Sequence, residues 1–148
     1  MKKAPIPISG IFFFWAGFVC SISFMEAWLK FRAPGVTLPI GLSIGKLIFT
    51  ALNRMEWVFV FILMVLLVPH IKKFSVTAVS IFATTIVLLL IQTIWLLPQL
   101  NDRAEQIIAG HQPGESYVHM LFGIAEVLKV LFLIYLGYAT VKKANNYD

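Results

Sequence analysis

Four long apolar runs, separated by short polar or Pro/Gly-bearing stretches, dominate the chain. A helix needs roughly 20 apolar residues to cross about 30 Å of hydrocarbon. By that measure the pattern predicts spans at about residues 6–31, 43–68, 74–97 and 116–141. Pro69 is expected to stop the second span and Pro98 the third. "RAPGVTLPIG" between the first pair reads as non-helical, and "PHIKK" as a tight turn. The last connection is longer. Asp102 and Glu105 have capping-box spacing for a short separate helix that Gly110 ends, and Ser116 is placed to cap the fourth span. The expected fold is all-α, an integral-membrane four-helix bundle forming one domain over residues 1–148.

Composition agrees. The 148 residues are 59% hydrophobic and 13% charged, with a mean hydropathy of +0.87. Soluble domains carry about 25% charge. The basic start and apolar stretch of "MKKAPIPISGIFFFWAGFVCSISFM" resemble a signal peptide. The run from Ala4 to Met25 is too long for one, and no small-x-small site closes it, so a retained first helix is expected. The single Cys20 forms no internal disulfide, which excludes thiol oxidoreductases working through cysteine pairs, and it reads as a small hydrophobe.

The net charge of +5 does not call for nucleic acid. The basic residues flank apolar runs, where lipid headgroups and topology account for them. Lys2, Lys3, Lys72, Lys73, Lys142 and Lys143 fall at one end of the bundle. Lys30, Arg32 and Arg103 fall at the other, among Asp102, Glu105 and Glu115. The positive-inside rule then places both termini in the cytoplasm and both longer loops outside. In a bacterial cell this is a multi-pass protein of the inner membrane, with the lipid bilayer as its partner.

Polar residues interrupt the spans in a pattern. "LNRMEWVFVF" carries Asn53, Arg54 and Glu56 inside an apolar run. Counted about 20 residues outward from each cytoplasmic end, Glu26 and Gln92 lie just under the outer surface, and Asn53, Glu56, Glu126 and Lys129 lie roughly 5–10 Å deeper. At about 100° per residue, Lys46, Asn53 and Trp57 share a face with Glu56 at its edge. His119, Gly123 and Glu126 share another, flanked by Lys129; Thr85, Gln92 and Gln99 align, and so do Trp15, Val19 and Glu26. Arg54 points away.

Intramembrane charge points to function unless it is paired. The leading expectation is an outward-facing polar pocket for a small polar or amphipathic ligand, such as a lipid headgroup or a quinone-like compound. Its wall is Glu26, Asn53, Glu56, His119, Glu126 and Lys129, with Arg103 as an anion lid. The structural alternative pairs Glu56 with Lys129 and Glu126 with Lys46 as helix locks. An enzymatic alternative uses Glu26, Glu56, His119 and Glu126 as ligands of metal, or His119 for haem. The Glu-x-x-His pairs of bundle di-iron proteins are missing, so no metal is expected. His70 and His111 fall in loops, and no serine–carboxylate arrangement accompanies His119.

The Asn53-x-x-Glu56 pair on the second of four spans resembles the membrane glutathione-transferase and eicosanoid-synthase group, which implies glutathione binding. Lys46 matches a basic position, but Phe49 replaces the arginine expected before Asn53, and that group opens its site to the cytosol. A broader resemblance covers nearly the whole chain. Gly45, Phe49, Leu52 and Asn53, with Asn101, Arg103 and His119 further on, resemble bacterial four-helix membrane proteins of the transmembrane-protein-205-like group. That resemblance implies a four-helix membrane fold and no particular activity or cofactor.

Overall fold

The computed structural model describes residues 7–145. It is all-helical. Four helices are long and apolar enough to cross a membrane: α1 over residues 7–32, α2 (Leu38–Leu67), α3 (Val76–Ile108) and α4 (Val118–Asn145). They run up and down as a ring, with α1 against α2 and α4, and α3 against α4. α2 meets α3 chiefly along Leu97–Ile108. Lys2 and Lys3 lie outside the described residues, and so do the side chains of His70, Lys72 and Lys73.

Local chemistry sets the boundaries. Val36 N–H donates to Ala33 O across Pro34 and Gly35, and Gly35 has φ +81°, the left-handed conformation a type II turn needs at that place. Helix then begins at Leu38, earlier than the apolar pattern predicts, because a proline in the first turn loses only an N–H that has no helical partner. The α-helix ends at Leu67, and the stretch from Val68 to Lys73, which holds Pro69, tightens into a 3-10 turn. Ser75 Oγ accepts from Ala78 N–H at the start of α3. Tyr117 O accepts the first helical bond of α4, from Leu121 N–H, so Ser116 stands one residue before the cap position, where its Oγ accepts from Val118 N–H.

Pro98 does not stop α3. The helix continues through it, because the turn before it widens to a π turn at Gln92–Leu96, with Leu97 N–H reaching back five residues to Gln92 O. The widened turn relieves the clash between a proline ring and the preceding carbonyls. Asp102 and Glu105 therefore sit inside a continuous helix and cap nothing. Gly110 does end it. At φ +85° it forms a Schellman closure, with His111 N–H to Gln106 O and Gly110 N–H to Ile107 O. α1 holds a second π segment, Cys20–Glu26.

The core is aromatic toward the end holding the chain termini. Phe12 meets Phe82 edge-on, and Trp15 packs on Phe59. Cys20 is part-buried against that core. At the other end Gly41 and Gly45 let α1 approach α2 closely. A Cβ on Gly41 would collide with the Phe31 ring, and one on Gly45 would stand 2.8 Å from Lys30 Nζ. The outward faces are apolar, with Phe61 70% and Ile94 73% exposed. The inward faces carry Glu, Lys, Gln and Thr.

Candidate functional site

Glu56, Glu126, Lys129, Gln92 and Trp15 are buried together near mid-length of the four helices. Lys129 Nζ donates to Glu56 Oε1 at 2.5 Å and lies 3.0 Å from Glu126 Oε1. Trp15 Nε1 donates to Glu56 Oε1 at 3.0 Å. Gln92 Nε2 donates to Glu126 Oε1 at 2.6 Å, and Ser23 Oγ to Glu126 Oε2 at 3.2 Å. One ammonium thus ties two carboxylates, and every helix contributes a partner. Glu126 and Lys129 are three apart on α4, so one face presents both.

The π turns position this cluster. Ser23 lies within the first and Gln92 within the second. An extra residue in a turn rotates later positions by about 100°. Gln99, expected to align with Gln92, is therefore exposed. Glu26, expected to align with Trp15 and Val19, is only part-buried, and it pairs with Lys30 at 3.2 Å instead of joining the cluster. Gln92 reaches Glu126 directly, so it shares the depth of the carboxylates instead of lying above them.

Asn53 belongs to a separate network. Thr93 Oγ1 accepts from Asn53 Nδ2 and Trp57 Nε1, both at 2.9 Å, and donates to Leu89 O at 2.7 Å. Thr93 escaped the sequence reading. A threonine in an apolar run carries no signal of its own, and only the π turn aims it at α2.

Arg103 and His119 of the predicted site, and the flanking Arg54 and Lys46, lie outside the cluster. Arg54 is exposed, as its phase predicts. Lys46 pairs with Glu105, not with Glu126. Arg103 donates to Gly114 O at 2.6 Å, latching the loop before α4. His119 is exposed at the start of α4. Among the described residues, no three His, Cys, Asp or Glu side chains gather where a metal would fit.

The open space lies beyond the cluster, toward the two loops that join α1 to α2 and α3 to α4. A cavity of about 260 Å³ is walled by Phe31, Phe49, Leu100 and Phe122 among other apolar residues. Lys30, Lys46, His119 and Asn101 also line it, and no carboxylate does. Its volume falls just below the about 300–1,000 Å³ of sites for drug-sized ligands. Phe49 and Phe122 meet edge-on at 5.5 Å, one turn from Asn53 and Glu126 respectively. Both rings line the cavity, and none of Glu56, Glu126 and Lys129 does. A smaller, mostly apolar space of about 70 Å³ lies at the other end, beside Phe12, Leu67, Phe82 and Thr140.

Lys30 Nζ sits 5.4 and 5.5 Å from the ring centres of Phe31 and Phe49. That contact and Glu26 fix its ammonium at the cavity. Lys46 and Glu105 are both partly exposed, and such a pair contributes only about 0–1 kcal/mol. Its lysine is therefore the freer of the two to meet an incoming anion. No family model matches the chain, and no curated protein and no solved structure matches it.

Proposed function

We propose that the chain is a four-span membrane protein, with both termini cytoplasmic, that binds a small amphipathic anion from the outer face of a bacterial inner membrane. The cavity carries this reading: apolar and aromatic walls end in Lys30, Lys46 and His119, with no carboxylate among the lining residues. Such a lining favours a single short acyl or aryl chain bearing a carboxylate, sulfonate or phosphate. Its volume favours a molecule smaller than a two-chain lipid. The orientation rests on the lysines of the connecting segments and the chain ends. The membrane itself is supported by four apolar helices whose outward faces are oily and whose polar groups turn inward.

On this reading the expected ligand wall changes. Glu56, Glu126 and Lys129 pack against one another and serve as an interhelical lock. His119 keeps its place in the wall, and Lys30 and Lys46 join it. Glu26 acts by holding Lys30. The fold implied by the resemblance to the transmembrane-protein-205-like group is compatible with this proposal.

Trp28 also lines the cavity, which gives the test. Protein in lipid nanodiscs is titrated with 8-bromooctanoate and, separately, with 8-bromooctanol, whose bromine quenches tryptophan. The carboxylate should quench saturably, and Trp28→Phe should remove that saturable part. The alcohol should give only the gradual quenching of partition into lipid. Equal, unsaturable quenching by both probes would refute the proposal.

A further inference from the structure

The buried cluster is short of one positive charge and one donor hydrogen. Two carboxylates, Glu56 and Glu126, face one ammonium, Lys129, and all three are buried. Among the described residues no other ionisable group reaches them. α1 contributes Trp15 and Ser23, which do not titrate at ordinary pH; of its charged residues, Glu26 and Lys30 pair with each other and Arg32 lies over the Trp28 ring. α3 contributes Gln92. α2 and α4 contribute only the three charged residues themselves. Fully ionised, the cluster would hold one uncompensated negative charge away from water, which costs several kcal/mol per ion. Independently, Gln92 is fully buried and bonded to Glu126 through Nε2, and its Oε1 has no donor.

The hydrogen bonds divide the two carboxyls unequally. Glu126 accepts on both oxygens, from Lys129 and Gln92 on Oε1 and from Ser23 on Oε2. Both bonds to Glu56, from Trp15 and Lys129, fall on Oε1. Among the described residues its Oε2 accepts none. A carboxyl served on both oxygens is the better anion, and one served on a single oxygen has a free place for a proton.

We propose that the cluster is a proton-binding site, with one added proton on Glu56 Oε2, so that a neutral carboxylic acid stands beside a Glu126–Lys129 ion pair. The bound species is a proton drawn from water; no bond other than O–H forms or breaks. Charge then balances at mid-bundle.

Infrared difference spectroscopy of the purified, folded protein at neutral pH tests this. A protonated, hydrogen-bonded carboxylic acid has a C=O stretch distinct from that of a carboxylate, and it shifts in heavy water. Wild type should show one such acid per chain. Glu56→Gln should show none, since the remaining pair is neutral. Glu126→Gln should also show none, because Glu56 then ionises to pair with Lys129. Glu26→Gln should leave the band unchanged. Lys129→Met should show two acids; if that variant does not fold, wild type and Glu56→Gln decide alone. No acid band in folded wild type, or a band that survives Glu56→Gln, would overturn the assignment.

Discussion

Lys129 Nζ lies 2.5 Å from Glu56 Oε1, 73 residues away in sequence, and the two bridge α2 and α4 across the middle of the bundle. Both side chains are buried. Breaking such a pair by removing one partner costs about 3–5 kcal/mol, because the carboxylate left behind loses its ammonium and must take up a proton to stay buried. Lys129→Met should therefore lower stability by about that much, as read by thermal unfolding in detergent. Lys129→Met with Glu126→Gln leaves no unpaired charge and should recover much of the loss. A single variant as stable as wild type would mean that water already screens the cluster.

Thr93 serves two donors at once. Thr93→Val should leave the Asn53 amide and the Trp57 indole N–H without that acceptor. Each buried group left unsatisfied costs about 1–3 kcal/mol. The same unfolding measurement should show a clear loss, whereas Thr84→Val, at an exposed position, should change little.

Gly41 lies where the end of α1 crosses α2. Gly41→Ala pushes a Cβ into the Phe31 ring, and forcing extra atoms into a packed contact costs about 1–3 kcal/mol. Gly17→Ala has open space and should be neutral or slightly stabilising, since alanine favours helix by about 1 kcal/mol. Equal effects at both glycines would remove the argument for close helix approach.

Orientation has its own test. In a Cys20→Ala background, single cysteines at Gly35 and Gly110 should react with an impermeant thiol reagent added outside intact cells. Lys72→Cys should react only after the inner face is opened. The reverse pattern would turn the bundle over and place the cavity on the cytoplasmic side.

Much of the architecture was legible because hydropathy and helical phase are read residue by residue. The four long helices, the break after Leu67 and the Gly110 ending all follow from local chemistry. The inward placement of Asn53, Glu56, Glu126 and Lys129 follows from phase. What sequence missed turns on two π turns. A constant 100° step carries Gln99 and Glu26 into the interior, and one extra residue per π turn rotates them out. The same turns bring in Ser23 and Thr93, which no pattern marks. Proline was over-read at Pro98 and at Pro39, since a proline interrupts a helix only where its missing N–H matters. The alternative lock between Lys46 and Glu126 does not form, because the continuous α3 brings Glu105 to Lys46 instead.

If Lys46 contacts the ligand's anionic group, Lys46→Met removes one charged hydrogen bond. Such bonds contribute about 1.5–3 kcal/mol, so 8-bromooctanoate should bind roughly ten- to a hundredfold more weakly. Arg54→Met, on the neighbouring surface, should leave the affinity unchanged. Loss of affinity at both positions alike would point to general attraction of anions to a basic surface.

The most direct test of the central claim is the position of the bromine itself. Crystals grown from a lipid phase and soaked with 8-bromooctanoate should show its anomalous signal among Phe31, Phe49 and Leu100, with the carboxylate toward Lys30 and Lys46. Bromine only on the outward helix faces, or beside Glu56 and Glu126 at mid-bundle, would contradict the account.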